Sequence, residues 1–218
     1  MAKTIVITAL LLGVAILPAW AQEDESRPAK FSFQGRVGVL FTGEEPFENG
    51  AAFEIGMMLR FAGPLHLNIS GGTSNFDGGT EVVAFTPEFG DFWEQFLNEF
   101  DVYDVEQNTY RMNYFNIGTA IKLGMGPVEP YVVAGGGIYY VRFSFPFSYA
   151  EKGFPEEAKV FTNITDRDYL YGFNFGGGMN IKINELIGFA GQVTYHKLNS
   201  DVLNDQLMAT FGLNVTIP

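Results

Sequence analysis

His66, His196 and Ser200 are the side chains best suited to covalent chemistry in this sequence. In Tyr195-His196-Lys197-Leu198-Asn199-Ser200 an imidazole stands four residues from a hydroxyl. A His–Ser pair can open an ester when the base touches the nucleophile and a third group orients the ring. The spacing is not that of an adjacent pair, and no acid near His196 is evident, so an enzyme is not expected. The chain has no Cys, which excludes disulfides and thiolate metal sites. No His-plus-acid cluster has metal-ligand spacing, so neither a metal nor a cofactor is expected. The triplets Gly135-Gly136-Gly137 and Gly176-Gly177-Gly178 lack the G-x-G-x-x-G spacing and open no helix, so they do not cradle phosphate. A net charge of -12 without a basic stripe makes nucleic acid an unsuitable partner.

Residues 1–21 carry Lys3, an apolar run from Thr4 to about Pro18, and small residues at Ala19 and Ala21. This pattern predicts a signal peptide cleaved after Ala21, since the run is too short for a spanning helix and no stop-transfer cations follow. Residues 22–29 form a short polar segment. Residues 30–218 then make one domain, with no Pro/Gly/Ser-rich linker to divide it.

That domain is apolar with a period of two. Phe31, Phe33, Val37, Val39 and Phe41 alternate with Ser32, Gln34, Arg36 and Gly38, and Phe53 through Phe61 alternate likewise. Strict alternation predicts strands with one apolar face. The same reading gives further strands at about 65–75, 110–123, 128–145, 168–183, 187–198 and 205–217, making eight. Tight turns at 62–64, 124–127 and 184–186 alternate with mostly longer loops at 42–49, 76–109, 146–167 and 199–204. The fold class this predicts is all-β, an eight-stranded antiparallel up-and-down transmembrane β-barrel with short periplasmic turns and longer extracellular loops. Side-chain volume sets the faces. The strand at 168–183 carries Tyr169, Tyr171, Phe173, Phe175 and Met179 on one side and Gly172, Asn174, Gly176, Gly178 and Asn180 on the other. An eight-stranded lumen takes only modest filling, so the aromatics face lipid. Phe31, Phe41, Phe61, Tyr131, Phe143, Tyr169 and Tyr195 are then expected in the interfacial girdles.

On the signal peptide, the eight alternating strands and the turn pattern, the chain resembles the outer-membrane β-barrel family, the small barrels similar to OmpX, OmpW and the membrane domain of OmpA. The resemblance covers nearly all of 30–217 and is one of pattern, without a diagnostic motif. Such barrels usually end in an aromatic residue that the assembly machinery reads; here the last strand stops at Pro218. The resemblance implies an outer-membrane location and, as partners, outer-membrane lipid and the assembly machinery.

The lumen is expected to hold Arg36, Arg60, Lys122, Arg142 and Lys182 against one obvious inward acid, Glu54. The first hairpin places Glu54 near Arg36, predicting an ion pair; the other cations make either an anion-attracting mouth or a solvated rim. Gly118, Gly136, Gly176 and Gly178 are expected to face inward, with the two triplets opposed and Gly137 outward beneath Phe175. That patch is either a small ligand cavity or a bend over which larger neighbours lean.

Residues 88–100 place Phe89, Phe92, Trp93, Phe96, Leu97 and Phe100 at helical spacing with acids between them. This predicts an amphipathic helix that caps the mouth, lies in the outer leaflet, or gives an extracellular partner a surface within loop 76–109. A monomer is expected. A structural or surface-interaction role is favoured; the alternatives are a narrow channel or carrier for small apolar or anionic solutes and, less favoured, a lipid-modifying enzyme.

Overall fold

The computed structural model describes residues 31–42, 48–78, 87–123, 126–153, 155, 158–200, 203 and 205–217. The expected signal peptide, segment 22–29 and Pro218 lie outside these, as do 43–47 and 79–86 of the expected loops. The strands are β1 Phe31–Phe41, β2 Gly50–Ala62, β3 Leu65–Gly78, β4 Phe100–Tyr103, β5 Asn108–Lys122, β6 Val128–Glu151, β7 Val160–Lys182, β8 Ile187–Leu198 and β9 Asp205–Ile217. Helix α1, Pro87–Glu99, precedes β4. All pairings are antiparallel, and β1 pairs with both β2 and β9 while β6 pairs with both β5 and β7. Eight strands therefore close into a ring, and β4 stands outside it on the outer end of β6. Closure leaves no unpaired edge in the wall, which is what a strand structure needs to cross lipid. No helix among the described residues is long and apolar enough to cross a membrane.

The apolar residues sit on the outside. Phe173 is 74% exposed and Tyr171 65%, while Gln34, Arg36, Asn180, Thr194 and Asn214 are buried inside. This inverts a soluble barrel and matches one solvated by acyl chains. Phe31, Phe41, Phe61 and Tyr169 are outward and exposed, as expected of girdle residues.

One strand reverses the expected facing. On β6 the inward residues are Glu129, Tyr131, Val133, Gly135, Gly137, Tyr139, Val141 and Phe143, so Tyr131 and Phe143 are not in the girdles and Gly136 and Arg142 face outward. The cause is that both faces of β6 are apolar, so volume does not choose between them. Arg142 stands beyond the apolar belt, where an outward cation meets no hydrocarbon.

The hairpin of β6 and β7 is also longer than expected. Residues 146–151 and 160–167 are paired strand rather than loop, with Phe145 opposite Ile164 and Tyr149 opposite Val160. β6 continues seven residues past its partner Thr109 at Ser144, roughly 23 Å of strand outside the ring. Pro146 is tolerated because its carbonyl accepts from the Glu106 amide (3.1 Å), on the side where β5 has ended. Its missing N–H would have pointed the same way, so no bond to β7 is lost.

Candidate functional site in the barrel lumen

Three layers fill the lumen. At the end bearing the tight turns, Glu129 receives Lys122 (3.4 Å) and Lys182 (2.5 Å). Glu129 is a second inward acid, which the expected phase of β6 turns outward. Arg60 Nε donates to the Gly63 carbonyl (2.9 Å), and His66 Nδ1 to that of Pro64 (2.9 Å). The rim cations are therefore held by a carboxylate and by turn carbonyls. Gly63 itself takes a left-handed conformation (φ 49°) that closes the β2–β3 turn.

The middle layer is polar and centred on Arg36. The first hairpin sets Arg36 opposite Glu54, and their side chains form a buried ion pair. Nη1 of Arg36 also donates to Gln34, to Tyr131 Oη (3.2 Å) and to Gln192 Oε1 (2.8 Å). Tyr114 donates to the other Glu54 oxygen (2.7 Å), and Gln34 reaches Asn180 (3.2 Å). Strands β1, β2, β5, β6, β7 and β8 are thereby tied to one guanidinium–carboxylate centre. Above it, the Tyr139 hydroxyl lies 2.9 Å from Asn116 Oδ1 and 2.8 Å from His196 Nδ1. His196 is fully buried, away from lipid, and Ser200 Oγ instead accepts from the Leu203 amide (3.1 Å).

The outer layer is apolar. Leu40, Phe76, Tyr110, Met112, Val141, Phe143, Leu170, Leu198 and Met208 pack together, joined by Phe89 of α1 and by Leu203. α1 forms close to the expected segment, but its large residues divide between two faces. Phe89, Trp93 and Phe96 pack on the inward face of the β6 extension: Phe89 edge-on to Phe143 (5.2 Å), Trp93 to Phe145 and Phe147 (5.3 Å each), Phe96 to Tyr149 (5.1 Å). Phe100 begins β4 and stacks on Phe96 (4.7 Å). Phe92 and Leu97 point away and are exposed. The helix thus lies over the mouth against its own protein.

The two glycine triplets are not opposed: Gly136 faces Phe173 and Gly178 faces Tyr131 in register. Gly118, Gly176 and Gly178 do face inward, but neighbouring atoms crowd each of them. A Cβ at Gly178 would run into the Tyr131 ring, and one at Gly118 or Gly176 into the neighbouring strand's backbone. Gly137 faces inward beside Asn116, and Phe175 is opposite Ala134. The glycines are where the wall bends and tyrosines lean in.

A closed eight-stranded ring with an apolar exterior and a filled interior has the form of a small membrane-spanning β-barrel. The chain is similar to the outer membrane protein OprG of Pseudomonas aeruginosa, at 10% identity over 88% of this chain and 97% of that one (TM-score 0.53). It is also similar to a major outer membrane protein of Thermus thermophilus, at 15% identity over 88% and 100% (0.47), and to Neisserial surface protein A, at 10% over 86% and 96% (0.45). No protein family's sequence profile matches the chain, and no curated protein matches it.

Proposed function

We propose that this chain is a closed outer-membrane barrel with a structural and surface-interaction role, exported through residues 1–21, inserted by the assembly machinery and working as a monomer. The observation that carries this reading is the continuous filling of the lumen, from Glu129 with its two lysines, through the Arg36–Glu54 centre, to the aromatic layer under α1. A conduit would need that column to part. The part left to interact is the head that rises past the ring, made of α1, β4 and the outer halves of β6 and β7. It presents Phe92, Leu97, Val160 and Phe161 to the outside, each more than 40% exposed. Apolar residues above the lipid belt favour contact with another surface. Lipid turnover is disfavoured by the burial of His196, and the orientation follows from the head lying opposite the tight turns.

The test is the ion conductance of the refolded protein in a planar bilayer, on samples that also show the heat-dependent gel shift of a closed barrel. The expected result is a current at the bare-membrane baseline. Steady unitary currents would overturn the closed-lumen reading in favour of the conduit.

A further inference from the structure

Three arginines stand in one row on the outer wall. Arg111 on β5 is the register partner of Arg142 on β6, which is the partner of Arg167 on β7, and all three are exposed on the outward face. Adjacent members have Cα atoms about 5 Å apart. Like charges directly opposite on neighbouring strands repel. Among the described residues none of the three has a carboxylate within ion-pair distance. Asp166 and Asp168 lie on the other face of β7, and Asp77 is one row further out, diagonal to Arg111.

The row sits at a boundary. One step towards the belt its neighbours are Asn113, Tyr140 and Tyr169, with the two tyrosine rings in contact at 5.0 Å. One step further in are Phe115, Ile138 and Tyr171, all about half exposed or more. One step outward are Thr109, Ser144 and Thr165 with Asp77 beside Thr109, and Ser144 donates to Asn163 (2.8 Å) of the row beyond, so the wall turns polar there. The cations therefore lie between an aromatic girdle and water, at headgroup depth.

We propose that Arg111, Arg142 and Arg167 form a binding site for the phosphate groups of a phosphorylated lipid in the outer leaflet. Guanidinium groups chelate phosphate through paired N–H donors, and a phosphate shared along the row removes the repulsion that the protein itself leaves uncompensated. The tyrosines would hold the same lipid at its glycerol or sugar level. The site rests on the outer-membrane reading above and adds to it a specific ligand chemistry.

The full-length protein is refolded into phosphatidylcholine vesicles containing a minor fraction of either diphosphorylated lipid A or its dephosphorylated form, and lipid retained through detergent extraction is quantified. Wild type should retain the phosphorylated lipid preferentially, on the order of tenfold. The triple variant Arg111→Gln/Arg142→Gln/Arg167→Gln should lose that preference while keeping its gel shift, and the triple Arg→Lys variant should keep most of it. Inorganic phosphate should not displace the lipid; displacement would mean that the row binds free phosphate, and would overturn the lipid assignment. Equal retention of both lipids by wild type, or an unchanged preference in the Gln variant, would overturn the site while leaving the barrel intact. Absence of the gel shift in wild type would overturn the outer-membrane reading and the site with it.

Discussion

Glu54 stands directly across the first hairpin from Arg36, and the two charges meet at the centre of the lumen with almost no exposure. Removing one member strands the other in a low-dielectric interior. Arg36→Met or Glu54→Gln alone should each destabilise the barrel by about 3 to 5 kcal/mol, and the double variant by clearly less than the sum. Urea unfolding in lipid vesicles measures the cycle. Additive effects would mean that the pair is energetically independent.

The first hairpin shows why much of this was legible in the sequence. Most strands put mainly small or polar residues on one side and large apolar ones on the other, because lipid and a narrow lumen enforce opposite chemistries, and Arg36 could be placed beside Glu54 by counting. β6 escaped that logic. Its Tyr131, Val133, Tyr139 and Val141 face a lumen roomy enough for them only because Gly178 and Gly172 lie on the neighbouring strand, a fact of register rather than of local pattern. The Arg36 partner Tyr131 was missed for the same reason, whereas Gln192 sits on β8, two strands from β1 and beyond the reach of counting across one hairpin. The β6–β7 extension was missed because outside the membrane nothing enforces alternation on 160–167, although Phe143, Phe145, Phe147 and Tyr149 did carry a period of two into the head.

The dependence of the aromatic layer on bare backbone is itself testable at Gly78. A Cβ there would collide first with the Tyr110 ring, and Tyr110 is stacked between Phe76 (5.4 Å) and Phe143 (5.6 Å). Gly78→Ala should therefore cost about 1 to 3 kcal/mol by displacing the stack. In a Tyr110→Leu background the same change should cost much less. Thermal unfolding of the four proteins measures the difference, and an equal cost in both backgrounds would place the strain elsewhere.

Because every strand of the ring pairs on both sides, the folded barrel should resist sodium dodecyl sulfate until heated. Unboiled and boiled samples should migrate differently on a denaturing gel. Shortening the head by deleting residues 147–161 should leave this shift in place, because the ladder of the ring ends below that segment.

Trp93 reports on the head. In a Trp20→Phe background it is the sole tryptophan, and its ring lies edge-on to Phe145 and Phe147 and stacked with Phe96 at 5.6 Å. Its emission should be blue-shifted and poorly quenched by iodide. Brominated lipid should not quench it either, because the rings around it belong to α1 and β6 and not to the leaflet. Trp93→Ala removes the central ring of this cluster and should destabilise the head by about 3 to 5 kcal/mol. The loss should be local, since α1 packs mainly on the β6 extension and meets the ring where Phe89 lies against Phe143. Hydrogen exchange would then rise in α1, β4 and the outer half of β6 while the ring strands stay protected. Exchange rising equally in β1 and β9 would mean instead that the head and the ring unfold as one unit.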